Sequence, residues 1–499
     1  MTREIMTGTQ TAAVRVGVAG ALDTIVADVL VVFMTEGGVA AGMAAEVDRA
    51  TGGLLTRLAD SGDLSGKRYE CVPLLAPPGL QAGQLLVVGL GKREGVDDGT
   101  CFRAAASAAR LIAARPRAKV VFLSERSWSD AQAEQAVAGG IAGMVGQDLY
   151  RAEKKRTPFG ETLWIGISAD TVARGSILGE GVNLARRLVN LPPDDLYPES
   201  FAEQAATVAS HTGMQIEIWD EDRLAREGCR AMLAVGRGSA RPPRLVLLTY
   251  RGRGGDTPPD LALVGKGVTF DSGGLSLKPS EGMLTMKCDM AGGATMLAAA
   301  ATIAALKLPI NLVAAIGLVE NMTGPAAYKL GDVITARSGT TIEIHNTDAE
   351  GRVVLADVLD VVRGLGPQRI VDAATLTGAC VVALGLDVAG LFTNDQPLCD
   401  AVADAAGAMG EPVWQLPMFP EFDDQIKSEV ADIKNVGEGR WGGAITAAKF
   451  LERFVGSIPW THIDIAGPAF AEKPKPWIDG GGTGALVRTL VTLARRLSQ

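Results

Sequence analysis

Histidine is scarce, with three residues among 499, at positions 211, 345 and 462. They lie too far apart to form a local histidine-metal motif such as H-E-x-x-H. No G-x-S-x-G elbow and no P-loop Gly-Lys-Ser/Thr occurs, which removes the usual signatures of a serine hydrolase and of a nucleoside-triphosphate site. Cysteine is equally sparse: Cys71, Cys101, Cys229, Cys288, Cys380 and Cys399 include no C-x-x-C pair. Neither a disulfide framework nor a thiolate zinc site is indicated, and they read as reduced, cytosolic thiols. Positive charge is not in excess, because 48 basic against 57 acidic residues give a net charge of -9. That balance argues against a chain-wide nucleic-acid or membrane footprint.

Long apolar runs are missing as well. The longest, Ala294 to Val319, is broken by Lys307, Pro309 and Asn311, where a bilayer would tolerate polarity least. It reads as a buried helix, a turn and a buried strand. Residues 1–20 show no basic segment followed by a sustained apolar one, so no secretory signal is expected, and a soluble cytoplasmic protein is. With 47% apolar and 21% charged residues the chain can bury large cores.

Short β-branched runs alternate with Ala-rich helical stretches, first from about Ala12 to Glu161 and again beyond Pro193. The fold class expected is α/β in two domains. A smaller N-terminal α/β domain spans 1–170, and a larger C-terminal α/β domain spans 171–499 around a mixed central sheet flanked by helices. The charged stretch Arg151 to Glu161 reads as an exposed connector just before the boundary. Gly437-Glu-Gly439-Arg-Trp-Gly442 matches G-x-G-x-x-G, but it follows a polar segment and reads as a tight glycine loop.

Carboxylates remain. Asn346-Thr-Asp348-Ala-Glu350-Gly-Arg352 sits between a strand over Thr341–His345 and a helix starting near Val353, where alternate residues of an extended segment share a face. Asp271 ends a strongly apolar strand that also carries Lys266. Lys278 and Asp289 follow, each unremarkable alone, as a surface lysine and a helix cap. Lys266, between apolar strand residues, needs a partner or must lose its charge. Several carboxylates gathered together repel one another unless cations sit between them. Two divalent ions bridged by a carboxylate resolve that repulsion and generate a nucleophilic water, with a neutral lysine amine able to serve as ligand; Mn²⁺ and Zn²⁺ both suit such a site.

These residues resemble the cytosolic leucine aminopeptidases, a family of dinuclear metallopeptidases. NTDAEGR at 346–352 looks like the family signature. VGKGVTFDSGG at 264–274, Lys278, MKCDMAGG at 286–293, TLTGA at 375–379, GRWGGAITAAKFLE at 439–452 and HIDIAG at 462–467 resemble its flanking blocks in order. The resemblance implies that Lys266, Asp271, Asp289, Asp348 and Glu350 are metal ligands, with Asp271 and Glu350 touching both ions. It implies that Lys278 and Arg352 are the catalytic pair, Arg352 holding a bicarbonate. Met286, Asn346, Thr375, Leu376 and Gly378 are expected to line the substrate pocket.

The reaction expected is release of N-terminal leucine and other apolar residues from peptides with a free amine, by attack of a metal-bridging hydroxide. The resemblance further implies a homohexamer. Two competing readings are hydrolysis of phosphate esters at the same ions, and DNA binding through clusters such as Arg151 to Arg156; the acidic charge does not indicate the latter.

Overall fold

The computed structural model describes residues 13–17, 20–39, 41–255 and 257–498. The reading of residues 1–20 as lacking a secretory signal falls mostly outside them. The chain forms two compact units. One runs to Asn183 and takes in Ala408–Gly410 and Glu472–Gly480; the other comprises Leu184–Gly407, Glu411–Ala471 and the residues from Gly481 on. The division falls inside the unbroken helix Ala169–Asn190, which carries the chain from the first unit into the second.

The first unit is built on a sheet of six strands: β1 (Ala13–Val16), β2 (Ala27–Thr35), β3 (Cys71–Leu75), β4 (Ala82–Gly91), β5 (Lys119–Leu123) and β6 (Glu161–Ile165). Their order is β1-β6-β5-β2-β4-β3, parallel throughout except that β3 is antiparallel to β4. A parallel strand is covered on both faces, which is why Val29–Phe33 and Leu85–Val88 are continuous apolar runs with no exposed member. The helices Asp98–Ile112 and Asp130–Gly143 begin at side-chain caps, Asp97 for the first and a Ser129/Gln132 capping box for the second. They pack backbone to backbone: a Cβ at Gly139 would stand 2.0 Å from the Phe102 carbonyl oxygen.

The second unit contains β7 (Gln215–Trp219), β8 (Arg244–Arg251), β9 (Leu261–Asp271), β10 (Asn311–Asn321), β11 (Val333–Thr335), β12 (Thr341–Glu343), β13 (Ile370–Ala374), β14 (Ala389–Thr393), β15 (Val413–Gln415), β16 (Ile433–Lys434) and β17 (Trp460–Asp464). Eight of them form a mixed sheet in the order β15-β14-β17-β13-β9-β10-β8-β7. The four central strands, β17, β13, β9 and β10, are mutually parallel. The apolar run Ala294–Val319 is a buried helix, a turn and a buried strand, as its interruptions predict.

The alternation therefore yields α/β architecture in both units, with a mixed central sheet in the second. One local expectation is corrected. The strand before Asn346 is only Thr341–Glu343 and belongs to a separate three-stranded sheet, β11-β12-β16, not to the main sheet. The helix that follows starts at Glu350, not near Val353. The approach of Asp348 to Glu350 thus comes from a turn entering a helix, not from strand alternation; a carboxylate in the first helical turn also suits the positive end of the helix dipole.

Candidate functional site

Lys266 lies in the middle of β9 and Asp271 at its carboxyl end, the edge at which α/β sheets present ligands. Asp289 is carried by the short 3₁₀ turn Met286–Met290, which leads directly into the buried helix Ala291–Ala305, so Asp289 is not that helix's N-cap; Met290 is. Small residues let this turn lie on the sheet. A Cβ at Gly265 would stand 2.6 Å from the Gly293 Cα, and one at Gly292 would stand 2.1 Å from the Ala373 carbonyl oxygen. The glycines flanking Lys266 and following Asp289 are thus what bring those two side chains together.

The geometry is one linked cluster. Lys266 Nζ is 2.7 Å from Asp289 Oδ1 and 2.9 Å from Glu350 Oε1, and donates to the Thr375 carbonyl at 2.9 Å. Lys278 Nζ is 2.9 Å from Asp271 Oδ2 and also bonds Asp348 Oδ1. Asp271, Asp348 and Glu350 each offer an oxygen, and the three oxygens lie within 4.8 Å of one another. Lys266, Asp271, Asp289 and Glu350 are all buried; Asp348 and Lys278 are half-buried. Sequence reasoning expected a partner for Lys266, and it has two carboxylates and a carbonyl.

The electrostatics follow from burial. Burial pushes the Asp271 carboxyl up to about 6, with the neighbouring Glu350 charge adding to the rise. Asp289 is raised by burial despite Lys266, and Asp348 by burial despite Lys278. For Glu350 burial acts upward most strongly, but Lys266, Lys278 and a backbone hydrogen bond together outweigh it and its pKa falls. Both lysines are raised, because the carboxylates around them outweigh their desolvation. Two lysines against four carboxylates leave an excess of negative charge, and the buried oxygens Asp289 Oδ2 and Glu350 Oε2 have no donor among the described residues. Carboxylates of Asp271, Asp348 and Glu350 gathered within metal-ligand reach, with buried oxygens of Asp289 and Glu350 short of donors beside them, fit divalent cations.

Arg352, at the third residue of the Glu350–Gly364 helix, is buried and donates through Nη1 to the Asn435 carbonyl at 2.9 Å, while its Nε has no partner among the described residues. Burial lowers it to about 10, against Glu350 and Asp464, which act to raise it.

Among the residues expected to line a pocket, Thr375 is brought to the cluster, its hydroxyl donating to Asp289 Oδ1 at 2.7 Å. The Asn346 side chain accepts the Asp348 amide at 2.8 Å. Met286 is half-buried and opens the turn that carries Asp289; Leu376 packs partly against the core, and Gly378 begins a short helix with an exposed position. Among the described residues, Asn346, Leu376 and Gly378 hydrogen-bond with neither Lys278 nor Arg352; the Leu376 amide donates to Asp464 Oδ1 at 3.2 Å instead.

Sequence reasoning missed the residues that hold this cluster in place. Asn321, ending β10, donates to Asp271 Oδ1 at 2.8 Å and to the Thr347 carbonyl at 3.0 Å, and the Tyr328 hydroxyl reaches the same carbonyl at 2.8 Å. Asn435 accepts the His345 amide and donates to the Asn346 carbonyl at 2.7 Å. A buried asparagine at the end of an apolar strand was the available signal for Asn321. Two of the three histidines take the hydrogen-bonding roles expected of them: His462 Nδ1 meets Asp372 at 2.6 Å in the core, and His345 meets Glu343 at 2.9 Å.

Gly351 gives a direct test of this packing. A Cβ there would fall 2.5 Å from Lys266 Cε, and that side chain is pinned by three partners. Gly351→Ala should cost about 1–3 kcal/mol in urea unfolding of the chelated protein. A midpoint within error of the parent would show that Lys266 moves aside freely.

Comparison with known proteins follows the same division. The model of the cytosol aminopeptidase family, catalytic domain, matches residues 183–491, and that of the family's N-terminal domain matches 31–157. A relative from Rhodopirellula baltica named "Probable cytosol aminopeptidase" is 54% identical over 431 residues, 86% of this chain and 84% of its own. Among solved structures, a mutant of tomato leucine aminopeptidase superposes with a TM-score of 0.87 at 31% identity, covering 97% of this chain and 96% of that one. The bottromycin maturation enzyme BotP in complex with Mn superposes with a TM-score of 0.83 at 36% identity, covering 95% and 100%.

Proposed function

Because the chain belongs to the cytosol aminopeptidase family, it is a hydrolase that removes N-terminal residues from peptides with divalent metal, and we propose that the carboxylate cluster on β9 is where it does so, releasing leucine and other apolar residues first. The observation that supports this reading is the convergence of Asp271, Asp348 and Glu350, with Lys266 tying Asp289 to Glu350 and two buried carboxylate oxygens lacking donors among the described residues. These five side chains would hold two Mn²⁺ or Zn²⁺ ions, Asp271 and Glu350 toward both. Bound there, the ions supply Lewis acidity and a nucleophilic water near neutral pH.

The chain's own groups do the rest. Lys278, half-buried beside Asp271 and Asp348, presents an ammonium that stabilises negative charge developing on the scissile carbonyl oxygen. Arg352, a buried guanidinium with a free Nε, is suited to hold a bicarbonate as general base. Met286, Asn346, Thr375, Leu376 and Gly378 would receive the first residue of the peptide. On the same reading the protein works in the cytoplasm as a homohexamer, with residues 1–170 serving assembly or regulation and 171–499 catalysis.

The test is hydrolysis of a leucine anilide by chelator-stripped protein before and after Mn²⁺ or Zn²⁺ is restored, with an N-acetylated substrate as control. Cleavage should vanish on stripping, return with metal and require the free amine. Folded protein carrying two metals that leaves this anilide and free-amine dipeptides intact would refute the assignment.

A further inference from the structure

The first unit holds a cavity of about 700 Å³ at the carboxyl ends of β2, β4 and β5. Chain order places it where the connections diverge: β2 leads through two helices to β3 and β4 on one side of it, and β4 leads through the Asp98–Ile112 helix to β5 on the other. Open parallel sheets take their ligands in that crevice.

The charges lining it are unevenly paired. Arg126 is held by Glu46 at 2.9 Å. Arg93 and Arg49 also line the cavity, both exposed, and neither bonds nor ion-pairs through its side chain with another described residue. In the same cavity Glu125 accepts the Met43 amide on Oε2 at 3.3 Å and is favoured by the Ala44 amide as well, while its buried Oε1 has no donor among the described residues. Gly42 makes that seat available, since its φ is +75° and a Cβ there would stand 2.3 Å from Glu125 Oε2. Burial pushes the Glu125 carboxyl up and the Arg93 guanidinium pulls it back, yet the two do not close into an ion pair. Beside them stands an apolar wall that includes Val96 and the Phe33–Trp128 ring pair, whose centroids are 4.9 Å apart.

A carboxylate with one buried oxygen short of a donor, and exposed guanidinium groups without a protein partner lining the same cavity, match a molecule that carries both charges close together. We propose that this cavity binds a free α-amino acid with an apolar side chain, its ammonium on Glu125, its carboxylate on Arg93 and its side chain against Trp128. The binding stands on the geometry of this unit alone; its meaning as a sensor of released product rests on the aminopeptidase reading.

The test is calorimetric titration of L-leucine into the full-length, metal-loaded protein, with Glu125→Gln, Arg93→Ala and, for the carboxylate cluster, Glu350→Gln. One binding event should persist in Glu350→Gln and weaken at least about tenfold in either cavity variant. In Glu350→Gln, where leucine amide is not cleaved to leucine, N-acetylleucine and leucine amide, each missing one charge, should not compete. The cavity variants should keep the parental rate on leucine anilide without added leucine, which shows that they fold. Leucine binding unchanged in both cavity variants overturns the proposal. So does N-acetylleucine binding as tightly as leucine, or AMP or inorganic phosphate occupying the site in preference to it. A protein that binds leucine through Glu125 and Arg93 but hydrolyses no peptide would refute the peptidase reading and leave this one standing.

Discussion

Replacing Lys278 by alanine should lower turnover of a leucine anilide by about 10²–10³-fold while two metals per chain remain bound. The expectation comes from where the ammonium sits. Lys278 is half-buried, linked to Asp271 at 2.9 Å and to Asp348, and held protonated by those carboxylates. A cation so placed does little for metal retention, because removing it leaves the carboxylates more negative and their attraction for a divalent ion stronger. Its contribution is to charge that develops during reaction, so the loss should fall on kcat more than on KM. Steady-state kinetics on Lys278→Ala, paired with elemental analysis of the same sample, decides it. Parental turnover in a metal-replete variant would remove Lys278 from the mechanism.

A second large effect is expected from Lys266→Met, read as stability. Lys266 is buried between Asp289 and Glu350, and methionine of similar length removes the charge without opening a large hole. In chelated protein the variant leaves buried carboxylates facing one another uncompensated, a situation that costs about 3–5 kcal/mol. For a unit of this size that corresponds to a fall in Tm of roughly 5–10 °C. Added Mn²⁺ or Zn²⁺ should restore part of the loss, since a divalent ion supplies the missing positive charge. A chelated variant that melts with the parent would mean that these carboxylates relieve their repulsion by taking up protons.

The two substitutions probe groups that were not equally legible. Strand β9 and its terminal Asp271 could be read directly, because a continuous apolar run broken by lysine and ended by aspartate is a local pattern. The NTDAEGR segment was legible as a set of donors but not as a shape: read as extended, it is a turn followed by a helix that starts at Glu350. Helix starts without a Ser, Thr or Asp cap leave little local mark, and the N-cap here is Ala349. The asparagines that hold the cluster were not legible. Asn321 reaches Asp271 across 50 positions and Asn435 reaches Asn346 across 89, and no periodicity encodes such distances. The cavity of the first unit was hidden for the same reason, since Arg93 and Glu125 meet only through the order of β2, β4 and β5.

By itself, then, the sequence determined the class of chemistry and the strands that carry it. Donor types, apolar runs and the glycines around Lys266 and Asp289 are properties of neighbouring residues. Tertiary structure alone decided how the charges pair, with Lys266 neutralising Asp289 and Glu350, Lys278 bonding Asp271 and Asp348, and two buried oxygens left over. Coulomb energy and desolvation depend on distance and burial in space, and those are set by packing between segments far apart in the chain.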